Sequence, residues 1–118
     1  MGCDEAVARH SIRVAYNVGI SPELLLAVVY SESSFVKDKH HSLSYVYGLC
    51  GVNVKAHPHY ATIAKNWRGN VVCGANELSI YLRECNGNVV RALTKYKGVS
   101  KLGERQARHT FSIYKELR

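Results

Sequence analysis

Apolar positions recur with the 3.6-residue period of an α-helix over most of the chain. Val7, Ser11, Val14, Ala15 and Val18 make a first stripe, which Gly19 closes. Ser21 is a suitable N-cap, Pro22 fits a first helical turn and Glu23 complements the positive helix end, so a second helix is expected from about Pro22 to Phe35. Between residues 37 and 57 the period disappears, and Ser42, Ser44, Gly48 and Gly51 alternate with Tyr45, Val46, Tyr47, Leu49 and Val52. That pattern predicts a structured loop with at most a small β-hairpin in the 40–55 region. A modest helix is expected from near Pro58 to just before Asn66. Asn70 is then read as the N-cap of a longer helix, Val71 to about Cys85, with Val71, Ala75, Leu78, Leu82 and Cys85 on one side. Asn88 caps a short helix from Val89 to Tyr96 that Gly98 ends, and a final helix, about Glu104 to Leu117, turns Ala107, Phe111 and Tyr114 inward. The expected fold is mainly α, with about six helices and one irregular loop, in a single domain over residues 1–118. Loops of that length are usually functional.

Composition narrows the class further. Of 118 residues, 47% are hydrophobic and 21% charged, with only two prolines, which argues against disorder. No apolar run approaches the roughly 18 residues of a membrane-spanning helix, and no basic-then-apolar export segment opens the chain. The net charge of +7 is uneven: residues 91–118 carry eight Lys and Arg against Glu104 and Glu116, a net +6. Such a field suits a polyanionic partner: nucleic acid, an anionic membrane surface or the acidic polymers of a bacterial wall. Cys3, Cys50, Cys73 and Cys85 form no CxxC pair, so a zinc ribbon or redox motif lacks support. Cys73 and Cys85 on one helix lie roughly 18 Å apart and cannot bridge each other, and buried free thiols are expected. The pairs His40-His41 and His57/His59 lack the spacing of a helical zinc site, so they are read as solvated loop histidines, with no metal or cofactor expected.

One position breaks the apolar pattern. On the second helix Leu25, Val28, Val29 and Phe35 form the inward stripe, and Glu32, seven residues after Leu25, falls on it. An ionised acid buried alone is costly, so either a basic partner satisfies it or it lies at the edge of a cleft and keeps its proton. The latter is the setting of a general acid. Asp38, the next acid along the chain, is flanked by Lys37 and Lys39 and reads as a surface charge.

The run Glu32-Ser33-Ser34-Phe35 resembles the first motif of the lytic transglycosylase domain of the lysozyme-like superfamily, related to goose-type lysozyme: a catalytic Glu, Ser, any residue and an aromatic. Ser42 followed by Gly48-Leu49-Cys50-Gly51 resembles that family's Ser and Gly-Leu-Met-Gln, without the Met and Gln. Asn70-Val71, Gly74 and Leu78 resemble its third motif. Ala92-Leu93-Thr94-Lys95-Tyr96-Lys97-Gly98 resembles its Ala-Leu-x-x-Tyr-Asn-x-Gly, with Lys97 in place of Asn and one residue fewer before Gly. The four occur in order over residues 20–98, about two thirds of the chain. The resemblance implies an α+β lysozyme-like fold around a substrate cleft. It implies an enzyme that cleaves the β-1,4 bond between N-acetylmuramic acid and N-acetylglucosamine in peptidoglycan. Glu32 would be the single acid and base, with Tyr96 donating a hydrogen bond to it. Ser42, with Ser44 as its neighbour, Tyr47, Gly48, Leu49 and Tyr96 would meet the substrate. A monomer acting on glycan strands in the periplasm or wall, exported, virion-associated or phage-delivered, is expected, with acidic wall polymers as further partners. The competing readings are a hydrolytic muramidase on the same bond, a non-catalytic wall-binding relative, and a basic helical module for nucleic acid.

Overall fold

The computed structural model describes residues 4–118. Asp4 caps the first helix, α1 (Glu5–Val18), by accepting from the amides of Ala6 and Val7, and Gly19 ends it at φ 84°, a left-handed conformation suited to glycine. Ser21 caps α2 (Pro22–Ser33) by accepting from the Leu24 amide. Each such cap is worth about 1 kcal/mol. The helix stops two residues short of Phe35 because Ser34 and Phe35 both turn left-handed, at φ 52° and 66°. Left-handed backbone costs an L-residue about 1–2 kcal/mol, and burial of the Phe35 ring against Tyr30 offsets it.

Strands β1 (Val46–Tyr47) and β2 (Val52–Asn53) pair antiparallel across the Gly48–Gly51 turn, which is the small hairpin expected in the loop. Residues 58–65 form two short 3-10 turns, Pro58–Tyr60 and Ile63–Lys65, where a regular helix was expected. Helix α3 (Trp67–Glu84) begins one turn earlier than its pattern suggests: Asn66, not Asn70, caps it, through the amides of Arg68 and Gly69. Asn70 is instead buried inside the helix. Helices α4 (Val89–Lys97) and α5 (Lys101–Leu117) follow, the first capped by Asn88 as expected and the second by Ser100, ahead of the expected start. Five α-helices and one two-stranded sheet therefore replace the expected six helices among the described residues.

Two apolar clusters hold these elements. Val7, Val14, Leu25, Val29, Leu49, Cys50 and Val71 join α1, one side of α2, the hairpin turn and α3. Leu24, Val28, Leu78, Leu93 and Ala107 join the other side of α2 to α3, α4 and α5, with Phe111 and Tyr114 packed against them. Helix α2 is thus buried on two flanks. Its last turn carries Glu32 out between the clusters, against α4 and α5. No described helix is long and apolar enough to cross a membrane.

Candidate active site

The four motif segments, far apart in the chain, meet around the turn Gly48–Gly51. From α3, Asn70 accepts from the Cys50 amide at 2.8 Å and donates to the carbonyls of Tyr47 and Ala64, each at 2.8 Å. Gly74, one turn on, leaves space for Cys50: a Cβ there would lie 2.5 Å from the Cys50 Cβ and 2.9 Å from the Tyr96 hydroxyl. The Tyr96 hydroxyl, from α4, donates to the Cys50 carbonyl at 2.7 Å. From α2, Glu32 presses on the far side of the turn, with its Oε1 2.5 Å from where a Cβ on Gly51 would stand.

The Glu32 side chain is 18% exposed and the Lys97 side chain only 5%, and the Lys97 ammonium donates to Glu32 Oε2 at 2.5 Å and to Ser31 Oγ at 3.1 Å. Ser31 also accepts from the Thr110 hydroxyl at 2.9 Å, tying α5 to the pair. Of the two ways to satisfy an inward carboxylate, the chain therefore uses a basic partner. The pair is nonetheless open on one side. A hollow of about 280 Å³ adjoins it, lined by Ser31, Glu32, Lys97, Leu102, Arg105, Gln106, His109 and Thr110, in which Glu32 is the single acid. Two of the departures from the resembled motifs, Gly51 and Lys97, face Glu32: one vacates the space beside its Oε1 and the other binds its Oε2.

The remaining expected site residues divide. Ser44, Tyr47 and Gly48 line a second hollow of about 260 Å³, with Asp38, His40 and His41, which Glu32 does not reach. Ser42 is exposed beside it. Asp38 is exposed as expected. Leu49 is fully buried, and its side chain packs the core. Tyr96 bonds the Cys50 carbonyl, not Glu32, because its hydroxyl reaches the turn backbone over Gly74. Burial, with Cys50 and Glu32 nearby, raises the Tyr96 hydroxyl well above its ordinary range, so it stays a donor.

A second inward carboxylate, Glu77 on α3, escapes the sequence reading. It is 7% exposed, accepts from the Tyr60 hydroxyl at 3.0 Å and lies 3.3 Å from His57 Nε2. Asn76 donates to the Tyr60 oxygen at 2.6 Å. His57 is accordingly a partner of a buried acid and not a solvated loop histidine. A cavity of only about 30 Å³ adjoins the group, between Gly51, Gly74, Glu77 and Tyr96. Spacing held the signal: Asn70, Gly74, Glu77 and Tyr81 follow one another at helical steps along a polar flank of α3, beside the apolar stripe. Burial pushes the Tyr81 hydroxyl up to about 12, Glu77 adding to it.

Cys50, Cys73 and Cys85 are free thiols, the first two buried, and burial raises both. Cys3 lies outside the described residues. Among the described residues no group of three or more metal-binding side chains comes together. No family model matches the chain, and no curated protein is similar to it.

Proposed function

We propose that the chain is a peptidoglycan-cleaving enzyme of lysozyme-like fold, a lytic transglycosylase acting on the bond between N-acetylmuramic acid and N-acetylglucosamine, with Glu32 in the proton transfers. The observation that carries this reading is the convergence of the four motif segments on one turn, with Glu32 against Gly51 on one side and an open hollow on the other. Glycosidic cleavage needs a proton on the leaving oxygen, and most glycosidases add a second carboxylate. Glu77 is sealed by Tyr60 and His57, so it does not supply one to this hollow. A substrate that attacks itself removes the need: the muramic C6 hydroxyl gives up its proton and closes on the anomeric carbon, leaving a 1,6-anhydro sugar. The hollow beside Glu32 is the substrate cleft in this reading. The partners are glycan strands, and the surplus of basic side chains on α4 and α5 favours acidic wall polymers nearby.

The test is release of muropeptides from purified sacculi, read by mass spectrometry. The wild-type chain yields anhydro ends, and Glu32→Gln reduces release by about 10²–10⁴-fold with an unchanged melting curve. Equal release by the variant removes Glu32 from the chemistry, and reducing ends in place of anhydro ends make the enzyme a hydrolytic muramidase. The pairing of Glu32 with Lys97 favours a second reading, a non-catalytic wall binder. Sacculus binding without product from the wild-type chain identifies it.

A further inference from the structure

Of the two partners in a hydrogen bond, the donor is the one with a proton in place to give. In the Glu32–Lys97 pair the transferable hydrogen sits on the ammonium, and the carboxylate is an acceptor. Lys97 spends two of its three N–H groups, on Glu32 Oε2 and Ser31 Oγ. The third has no acceptor among the described residues, and Lys97 lines the same hollow as Glu32. The other charged or titratable groups around the pair are Arg105 and His109 from α5, across the hollow, with Cys50 and Tyr96 behind it. Resting on the transglycosylase reading, the geometry points to a division of labour: Lys97 is the catalytic acid and Glu32 the catalytic base, where a single carboxylate would otherwise do both.

The step closes without an outside reactant. A Lys97 N–H proton passes to the glycosidic oxygen as the bond from that oxygen to the anomeric carbon breaks, its electron pair staying on the leaving oxygen. Glu32 takes the proton of the C6 hydroxyl, whose oxygen forms the new bond to the anomeric carbon. Lys97 is then a neutral amine beside a neutral Glu32 acid, and one transfer across their hydrogen bond restores the ion pair. No water is consumed and nothing is oxidised or reduced. The placement of Lys97 beside Ser31, itself held by Thr110, keeps the ammonium fixed at the wall of the hollow.

The experiment uses the full chain on purified sacculi, with anhydro-muropeptides as the readout and thermal melting as the check on folding. Lys97→Arg keeps the charge and the pairing but replaces the ammonium with a group that does not give up its proton, so release falls by about 100-fold or more. Lys97→Ala falls similarly and is rescued by added alkylammonium ions, more strongly by the more acidic ones. That rescue would not follow from a merely structural lysine. Wild-type release by Lys97→Arg, while Glu32→Gln is inactive, overturns the assignment and leaves Glu32 as both acid and base. Faster release by Lys97→Ala also overturns it, because Lys97 is then a brake. A wild-type chain that yields no anhydro product overturns the transglycosylase reading itself.

Discussion

Glu32 and Glu77 are the same residue type on the inward side of two packed helices, and the fold treats them in opposite ways. Glu77 is enclosed by a tyrosine, an imidazole and a cavity of about 30 Å³. Glu32 is matched to one ammonium and left beside a hollow of about 280 Å³. The difference teaches that burial alone does not mark a reactive acid. What separates the two is how many of their acceptor positions the protein itself fills, and whether space remains beside the rest.

Exchange of each acid for its amide gives the widest separation. Glu32→Gln is expected to lose about 10²–10⁴-fold in muropeptide release and little stability, since the ammonium retains Ser31 and the hollow admits water. Glu77→Gln is expected to do the reverse: release within a few-fold of wild type, and about 1–3 kcal/mol less stability by urea unfolding, because a closed hydrogen-bond group is left mismatched. If Glu77→Gln instead abolishes release without destabilising the fold, the contrast is wrong and the closed group takes part in the chemistry.

A smaller effect is expected at Gly51. With φ at +59° and Glu32 Oε1 2.5 Å from a new Cβ, Gly51→Ala costs about 1 kcal/mol in backbone strain and pushes the carboxylate away from its place, lowering release along with stability. Gly87→Ala is a suitable control, since Gly87 is also left-handed but faces open space. It carries the strain without the loss of release.

The smallest effect is in alkali and is read at two groups on α3. Burial pushes the Cys73 thiol from 9.0 up to about 11 and the Tyr81 hydroxyl from 10.0 up to about 12. The unfolded chain therefore loses these protons first, binds fewer protons than the native state, and stability falls as pH rises from about 9 to about 12. Below pH 9 neither group contributes a slope. Thermal midpoints of the wild type and of Cys73→Ala/Tyr81→Phe across that window are expected to diverge, the variant showing the flatter decline.

Much of this molecule could be read from spacing. Ser21, Pro22 and Asn88 mark helix starts by local chemistry, and the inward placement of Glu32 follows from counting seven residues from Leu25. Asn66 and Asn70 show where local reading fails. Both are good N-caps one turn apart, and the choice between them is made by the Gly48–Gly51 turn, which needs Asn70 as its anchor. The short turns of residues 58–65 follow from the same demand, because Ala64 also offers its carbonyl to Asn70. The Glu32–Lys97 pair joins residues 65 apart, and no periodicity within α2 or α4 encodes which charge will meet which. Apolar periodicity does not reveal Glu77, because the polar flank of α3 is also buried, at Asn70, Gly74 and Glu77.

The bonds that assemble the site span 20 residues from Cys50 to Asn70, 46 from Tyr96 to Cys50 and 79 from Thr110 to Ser31. Contacts so distant along the chain form only after the intervening loops have closed, late in the passage to the native state. Any assay of this site is thus also a gauge of complete folding: a chain that has gained its helices but not their mutual arrangement will look native by circular dichroism and lack the assembled turn. Nor can the site be grafted as a short peptide, because its smallest portable unit runs from α2 to α5.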